Sequence, residues 1–298
     1  MRDSPAVAAR VAEGTVAAAG PAPEVLLSPA VAAARAPAWA RDAVPPLMLI
    51  GALVLAWHLT AVASGLPTFI LPSPVGVVAA GWETRDLLMR ATGVTLLEAG
   101  LGLAVALGLG VGLAAAMDFW PLLRRALYPV LVASQTVQIL AVAPLLIIWF
   151  GFGLLPKVII VVLVCFFPLS VATTDGLTST DPDYVALLRV AGARRHQVWR
   201  LARLPSALPS FFSGLRIAVT YAVVAATIGE WVGGTEGLGL YMLRSKNALA
   251  TDQVFVAMLV TTLLSVSLFG LVTIAERLAL PWYHSTERRT PWTGRATG

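Results

Sequence analysis

Apolar residues fill six blocks of the chain for about twenty positions each, and polar residues gather between them. A helix needs about 20 predominantly apolar residues to cross the hydrocarbon core of a bilayer. The pattern predicts an all-α membrane protein with six transmembrane helices, near residues 46–64, 92–117, 130–150, 157–174, 211–232 and 254–275. In the second block, the four-residue spacing of Gly108 and Gly112 predicts a face for close helix packing.

The two ends of the chain differ from its middle in composition. Residues 1–38 are rich in alanine and proline and lack the apolar core and cleavage site of a signal peptide, so we expect a disordered cytosolic tail. Residues 39–285 form the predicted transmembrane domain, and residues 286–298 form a polar cytosolic tail. Within the domain, residues 175–210 form a long basic connection between the fourth and fifth blocks.

The first half of this connection carries the signals of a short helix. Asp181 is a good N-cap residue, and Pro182 follows it at the first helical position. Gly192 then interrupts the pattern at a point where a helix can end in a left-handed residue.

The second half predicts another short helix, at about residues 193–203. Val198 and Leu201 lie on its apolar side, and arginines occupy its other faces. Pro205 is expected to end this helix, because proline lacks the N–H that a continuing helix would use.

Composition places the whole chain in the membrane class. It is 58% hydrophobic and 12% charged, against about 25% charged in soluble domains. The net charge of +5 lies in loops between apolar blocks, which argues against nucleic-acid binding. Cys165 is the single cysteine, so an internal disulfide and a cysteine-based metal cluster are excluded. The sequence has no GxxxxGK[ST] pattern, so we expect no nucleotide or other cofactor in this chain.

The positions of the basic residues predict the orientation. Lysine and arginine concentrate on the cytosolic side of membrane proteins. With both termini and the basic connection in the cytosol, most of the 21 basic residues fall on that side. The outer side then holds Arg85, Arg90, Lys157, Arg244 and Lys246.

The basic connection resembles the EAA loop of the permeases of binding-protein-dependent ABC transporters, which have the type I importer fold. The family pattern is Glu-Ala-Ala, three residues, Gly, nine residues and Ile-x-Leu-Pro. Gly192, Leu204 and Pro205 match it in register, whereas Ala186 stands in place of the glutamate and Ala202 in place of the isoleucine. The serine that often caps the second helix in the family is also absent, since Arg194 stands there.

The resemblance covers about residues 45–285. ILPSP, APLLIIWFGFGLLPKV, FFPLSVATTDGL, GLRIAVTYAVVAATIGEW and EGLGLYM are similar to segments of the nitrate/sulfonate/taurine branch of that family. Within the branch, the chain looks most like permeases for thiamine-pyrimidine precursors or riboflavin. The resemblance therefore implies a solute that is a thiamine-pyrimidine precursor, riboflavin-like, or a small molecule like nitrate, a sulfonate or taurine.

The resemblance implies a division of labour. Two permease copies, commonly identical, form the path across the inner membrane, two ATPase subunits bind ATP and magnesium below them, and a solute-binding protein docks outside. This chain is then not an enzyme. The resemblance implies that nine residues couple the chain to the ATPase: Gly192, Ala193, Arg194, Arg195, Gln197, Val198, Leu201, Leu204 and Pro205. Among them, Val198 and Leu201 would be the apolar contacts, and Arg194, Arg195 and Gln197 would contact the rim of the ATPase groove.

Polar residues inside or near the apolar blocks are candidates for the translocation path. Ser134, Gln135, Thr136 and Gln138 open the third block and should face the bundle interior or the dimer seam, where they either bond between helices or contact solute. Glu230, beside Trp231, is either a gate or contact for the binding protein, or part of an interfacial anchor.

Two other classes of function compete with an importer permease. A stand-alone secondary transporter or channel usually needs ionisable groups within the membrane, and few lie in these blocks. A membrane enzyme would need a catalytic cluster, and the three histidines, His58, His196 and His284, are scattered.

Overall fold

The structure, a computed structural model, describes residues 38–283, with side chains described from Val44 onward. Nearly all of the predicted tails, 1–38 and 286–298, therefore lie outside the described residues. All regular structure in the described part is helical. The helices are α1 (Ala38–Ala63), α2 (Pro74–Glu83), α3 (Arg85–Phe119), α4 (Pro121–Ser134), α5 (Ile139–Phe150), α6 (Leu154–Thr178), α7 (Pro182–Val190), α8 (Arg195–Val198), α9 (Leu204–Gly233), α10 (Leu238–Asn247) and α11 (Thr251–Ala279). A π-helical turn, Trp199–Arg203, joins α8 to α9.

Five stretches of helix in the described residues are long and apolar enough to cross a membrane: Val44–Ala63, Arg85–Phe119, Leu154–Thr178, Arg195–Gly233 and Thr251–Ala279. The bent pair α4 and α5 makes a sixth candidate crossing when the two helices are taken together as one span. The prediction of an all-α protein with six apolar crossings is confirmed in this sense, although one crossing is not a straight helix.

The third predicted span, 130–150, is broken in the middle. Residues 135–138 separate α4 from α5, and the two helices are bent by 102°. Turn hydrogen bonds hold the break: the Thr136 N–H donates to the Ala133 carbonyl at 3.1 Å and the Val137 N–H to the Ser134 carbonyl at 3.2 Å. The expectation of one continuous helix here is therefore wrong.

The boundary between two compact units falls inside α1, between Leu53 and Val54. The side chains of residues 44–53 are exposed. In the second unit, the Trp57 ring stacks on Phe255 of α11 at 5.4 Å, and its indole N–H donates to the Pro72 carbonyl at 3.1 Å. These contacts fix the end of α1 against α11 and against the loop before α2.

The core of the second unit is formed mainly by α3, α6 and α9. Small residues let α3 approach α6: Gly102 lies against Val161, and a Cβ on Gly110 would meet the Leu169 Cβ at 3.3 Å. Gly108 and Gly112 instead face open space. The predicted packing face was therefore wrong, because α3 carries small residues on two faces and the buried one contains Gly102 and Gly110.

Candidate functional site

The helix α7 begins and ends as the sequence predicts. The Asp181 side chain accepts from the Asp183 N–H at 2.9 Å, with Pro182 in the first turn. At the other end, Gly192 has φ +82°, its N–H donates to the Arg189 carbonyl at 3.0 Å, and the Ala193 N–H donates to the Leu188 carbonyl at 2.9 Å. This pair of bonds is a Schellman motif, which needs a left-handed residue at the glycine position.

The start of α8 is capped without a serine. The Gln197 Oε1 atom accepts from the Arg194 N–H at 2.7 Å, so the third residue of the helix reaches back to its N-cap residue. Glutamine at this position satisfies a backbone donor that would otherwise have no partner. The missing serine is thus compensated within the same turn.

Pro205 does not end the second helix. The chain runs from α8 through the π-helical turn into α9, and the Leu204 N–H donates to the Trp199 carbonyl, five residues back. The π turn displaces the hydrogen-bond register just before Pro205, which lacks an N–H and so lies in the first turn of α9 without losing a bond. The expectation of a helix stop is wrong, and the two loop helices differ: α7 is jointed at Gly192, whereas α8 continues into a membrane helix.

Side chains of α8 and the π-helical turn bind to the end of α3. Arg203 forms an ion pair with Asp118, and Arg195 donates to the Phe119 carbonyl while its guanidinium lies 5.4 Å from the centroid of the Phe119 ring. The Phe119 and Trp199 ring centroids are 5.8 Å apart. These contacts tie α8 to α3 as well as to α9.

The exposed apolar side chains of the loop helices differ from the predicted ones. Val198 is 4% exposed and packs inward, so it is not available as a surface contact in this conformation. Leu201 is 58% exposed, as expected for a surface contact. Leu187 and Val190 on α7, which were not among the predicted contacts, are 64% and 87% exposed. Their spacing of three on a short helix was the available signal.

The remaining predicted coupling residues take three kinds of position. Arg194, Arg195 and Gln197 are exposed. Ala193 is half-buried and lines a cavity beside the end of α3. Leu204 and Pro205 are half-buried at the start of α9.

The predicted polar residues of the third span lie at its break. The Ser134 hydroxyl donates to the Val130 carbonyl at 2.7 Å, and the Thr136 hydroxyl donates to the Ala133 carbonyl at 2.8 Å. Gln135 and Gln138 are exposed. Both hydroxyls thus bond within their own turn rather than to another helix.

A cavity of about 710 Å³ lies between α5, α6 and α9, next to this break. Ser134 and Gln135 line it, but Thr136 and Gln138 do not. Phe167 and Tyr221 contribute aromatic rings, and the rest of the lining is mostly aliphatic. No charged side chain or histidine is among its lining residues, so the cavity is apolar with a few neutral hydrogen-bonding groups.

Glu230 is not part of this cavity. Its carboxylate is fully buried, accepts from the Thr95 hydroxyl at 2.6 Å, and accepts from the Gly239 N–H in the first turn of α10. A carboxylate at a helix N-terminus satisfies free N–H groups there and interacts favourably with the helix dipole. Glu230 therefore connects α9 to α3 and α10 in this structure, and its role in the translocation path stays a prediction.

Glycines make room for this carboxylate. A Cβ atom on Gly237 would overlap the Glu230 carboxyl group, and Gly237 has φ +121°. The Leu238 N–H donates to the Thr95 Oγ1 atom at 2.9 Å, which completes the network. Gly237 and Gly239, which follow Glu230 in the chain, were the sequence signal that another group approaches the backbone closely here.

A buried ion pair lies near the same end of the bundle. Lys157, at the start of α6, pairs with Glu98 on α3, and both residues are buried. A Cβ on Gly229 of α9 would meet the Lys157 Cα at 3.3 Å, so α9 packs directly on this pair. This pair was not predicted, although unpaired charges are costly inside a membrane protein and a lone lysine and glutamate in neighbouring spans suggest a pair.

The sequence matches the family of binding-protein-dependent transport system inner membrane components over residues 108–280. It is 38% identical over 224 residues to a probable ABC transporter permease protein of Haemophilus influenzae, covering 75% of this chain and 91% of that protein. It is 37% identical over 242 residues to the formylaminopyrimidine transport permease protein ThiX of Halalkalibacterium halodurans, covering 81% and 96%. It is 35% identical over 262 residues to the riboflavin transport system permease protein RibX of Chloroflexus aurantiacus, covering 87% and 97%.

Among solved structures, the chain is similar to a chain of the inward-facing MetNI methionine ABC transporter, with 16% identity, a TM-score of 0.48, and coverage of 65% of this chain and 96% of that one. The chain belongs to the inner membrane components of binding-protein-dependent transport systems, the multi-pass permease subunits of ABC importers.

Proposed function

We propose that two copies of this chain form the solute path of an ABC importer, with two ATPase subunits on the cytosolic face and a solute-binding protein on the outer face. ATP and magnesium belong to the ATPases, which carry out hydrolysis, so this chain is not an enzyme and holds no cofactor. Both termini and the loop helices α7 and α8 lie in the cytosol, in line with the concentration of basic residues there.

The break in the third span is the observation that carries this proposal. Residues 135–138 are non-helical and exposed on the surface of this chain, between two apolar helices. Non-helical backbone at membrane depth occurs only where protein covers it or where it lines a water-filled space, because lipid cannot satisfy its hydrogen bonds. A second copy that covers this surface and encloses a solute path meets that requirement.

The loop helices are the proposed surface for the ATPase. Leu187, Val190 and Leu201 present exposed apolar side chains, and Arg194 and Gln197 lie exposed beside them. The structure supports a specific route for force: α8 is continuous with α9 and is held to α3, so a pull on α8 moves both core helices. Gly192 lets α7 follow a different angle.

The cavity favours a neutral, flat heterocycle as solute. Phe167 and Tyr221 offer ring faces for stacking, and Ser134 and Gln135 offer neutral hydrogen-bonding groups. A sulfonate or nitrate anion would lose its hydration there without a cation to balance its charge, which is costly in a low-dielectric site. Two relatives are named as permeases for heterocyclic solutes, one for a formylaminopyrimidine and one for riboflavin.

Reconstitution tests the proposal. Vesicles containing this chain, its cognate ATPase and internal ATP, supplied outside with the cognate binding protein, are given labelled riboflavin, a labelled aminopyrimidine or labelled taurine. We expect accumulation of one heterocycle and not of taurine, and no accumulation when the ATPase is omitted. Uptake without the ATPase would contradict the importer assignment, and uptake of taurine alone would contradict the solute class.

A cavity variant separates the solute path from general folding. Tyr221→Ala removes a ring from the cavity wall, and because stacking on an aromatic ring contributes about 1–3 kcal/mol, transport should fall about tenfold. Trp82→Ala, which removes an exposed ring on α2 that is not among the cavity-lining residues, is the matched control and should leave transport unchanged. Equal losses in both variants would count against the cavity as the path.

A further inference from the structure

A second cavity, of about 430 Å³, lies where the end of α3, the start of α4 and the loop helices meet. Four arginines from four elements line it: Arg124 of α4, Arg189 of α7, Arg195 of α8 and Arg203 of the π-helical turn. Asp118 is the acidic residue among its lining side chains. A concave site with this lining concentrates positive potential more than scattered surface arginines do.

The arginines are only partly neutralised within the chain. Asp118 pairs with Arg203. Arg195 donates to a backbone carbonyl, and Arg124 lies over the Tyr128 ring at 6.0 Å, but neither contact supplies a negative charge. Within residues 44–283, no carboxylate forms an ion pair with Arg124, Arg189 or Arg195. The lining therefore carries an excess of three positive charges.

An adjoining cavity of about 350 Å³ extends the site. It shares Arg124, Arg189 and Arg203 with the first cavity and adds the side chains of Thr178 and Thr180. Guanidinium groups bind phosphate oxygens through paired N–H donors. The Thr178 hydroxyl donates to the Thr174 and Asp175 carbonyls and the Thr180 hydroxyl to the Leu177 carbonyl, so their oxygens are left to accept from a donor group attached to the phosphate. The combination suits a phosphate group that carries a polar extension.

The surroundings place the site at the membrane surface. The spanning helix α3 ends at Phe119, and the next residues include Trp120 and Leu122, which are 62% and 81% exposed. Tryptophan is enriched at the level of the lipid headgroups, and an exposed leucine beside it suits the upper part of an acyl chain. Basic pockets between helices on the cytosolic side are typical sites for anionic headgroups.

We propose that these arginines bind the phosphate of an anionic phospholipid from the cytosolic leaflet. The bound phosphate bridges Arg124 of α4 to Arg189 of α7 and Arg195 of α8. It thereby joins the broken third span to the loop helices. This site is independent of the solute and lies apart from the cavity assigned to the transport path.

Lipid retention by the purified full chain tests the proposal. The protein is placed in phosphatidylcholine nanodiscs with increasing phosphatidylglycerol, and the bound lipid is counted by native mass spectrometry after release into detergent. We expect phosphatidylglycerol to be retained over phosphatidylcholine, and Arg124→Gln/Arg189→Gln to weaken this retention about tenfold or more. Arg85→Gln/Arg244→Gln removes the same charge at exposed arginines of the predicted outer side and should retain lipid as the wild type does.

Two further arms distinguish other sources of the anion. Inorganic phosphate at millimolar concentration should not displace the lipid, because the acyl chains add affinity; full displacement would reassign the site to free phosphate. Arg189→Gln alone changes one exposed side chain at a helix end, and it should still weaken retention if the double variant does not fold. Unchanged retention in folded variants would overturn the proposal, and so would loss of ATPase binding with lipid retained.

Discussion

Arg203 of the π-helical turn forms an ion pair with Asp118 at the end of α3, and Asp118 is the more buried partner, with 5% of its side chain exposed against 30% for Arg203. The pair joins the segment proposed to receive force to a core membrane helix. Replacing Arg203 with glutamine leaves the Asp118 carboxylate buried without its charged partner, which costs about 1 to 3 kcal/mol. We expect Arg203→Gln to lower thermal stability in detergent and to reduce uptake per ATP hydrolysed.

The double variant Asp118→Asn/Arg203→Gln provides the control for this pair. It removes both charges, so it should recover part of the stability lost in the single variant. Its transport should stay poorly coupled, because two neutral amides hold α8 to α3 less tightly. If the double variant loses as much stability as Asp118→Asn and Arg203→Gln lose together, then the two residues do not act as a unit.

Gly192 joins α7 to α8 with a positive φ of +82°, and a Cβ added there would meet open space. Any effect of a substitution therefore comes from the backbone and not from a clash. Gly192→Val should cost about 1–2 kcal/mol in this conformation, because a left-handed backbone is unfavourable for a β-branched residue. We expect normal membrane insertion with ATP hydrolysis uncoupled from uptake, measured in the same vesicles.

Asparagine tolerates the left-handed conformation better than valine does. Gly192→Asn should therefore keep most of the coupling, although it also adds a side chain. If Gly192→Val transports as well as the wild type at equal expression, the joint at this residue has no part in the mechanism.

Much of the helical layout is predictable from local sequence. Asp181, Pro182 and Gly192 set the bounds of α7 through interactions within a few residues of each other, and the structure confirms them. The break after Ser134 was not predicted, because the third block is apolar on both sides and an average over twenty residues does not detect a 102° bend. Its polar run was the signal, but the same run also fits a helix that bonds to its neighbours.

Contacts between distant parts of the chain could not be predicted in the same way. Glu98 and Lys157 are 59 residues apart. Their charges inside apolar blocks indicate that each needs a partner, but the local sequence around either residue does not show which residue that is. The sequence suggests that Glu230 is an interfacial residue because it precedes Trp231, whereas its hydrogen-bond donors lie on α3 and α10. Val198 is buried at the end of α8, directly before the π-helical turn, and the apolar pattern of the local sequence does not distinguish a buried valine there from an exposed one.

The buried pair of Glu98 and Lys157 predicts an asymmetric mutational response. Both residues are almost fully buried, so removing the lysine strands a carboxylate in an apolar surrounding. Breaking such a pair costs about 3–5 kcal/mol, whereas replacing both partners with neutral residues is often tolerated. We expect Lys157→Met to lower the detergent melting temperature strongly, and Glu98→Gln/Lys157→Met to restore much of it.

Lys246 offers a control for the charge change alone. It is an exposed lysine on α10, so Lys246→Met should leave the melting temperature close to that of the wild type. If Lys157→Met melts like Lys246→Met, then the pair contributes little to folding, and its role must lie elsewhere.

The two glycine faces of α3 predict opposite results for the same substitution. A Cβ on Gly102 would overlap the Val161 side chain of α6, whereas a Cβ on Gly108 would meet nothing within 4 Å. Gly102→Ala should therefore destabilise the protein by about 1–3 kcal/mol through overpacking. Gly108→Ala should be neutral or slightly stabilising, since alanine favours the helix over glycine. Thermal unfolding of the single chain in detergent measures both effects, and a larger loss at Gly108 would place α6 against the other face.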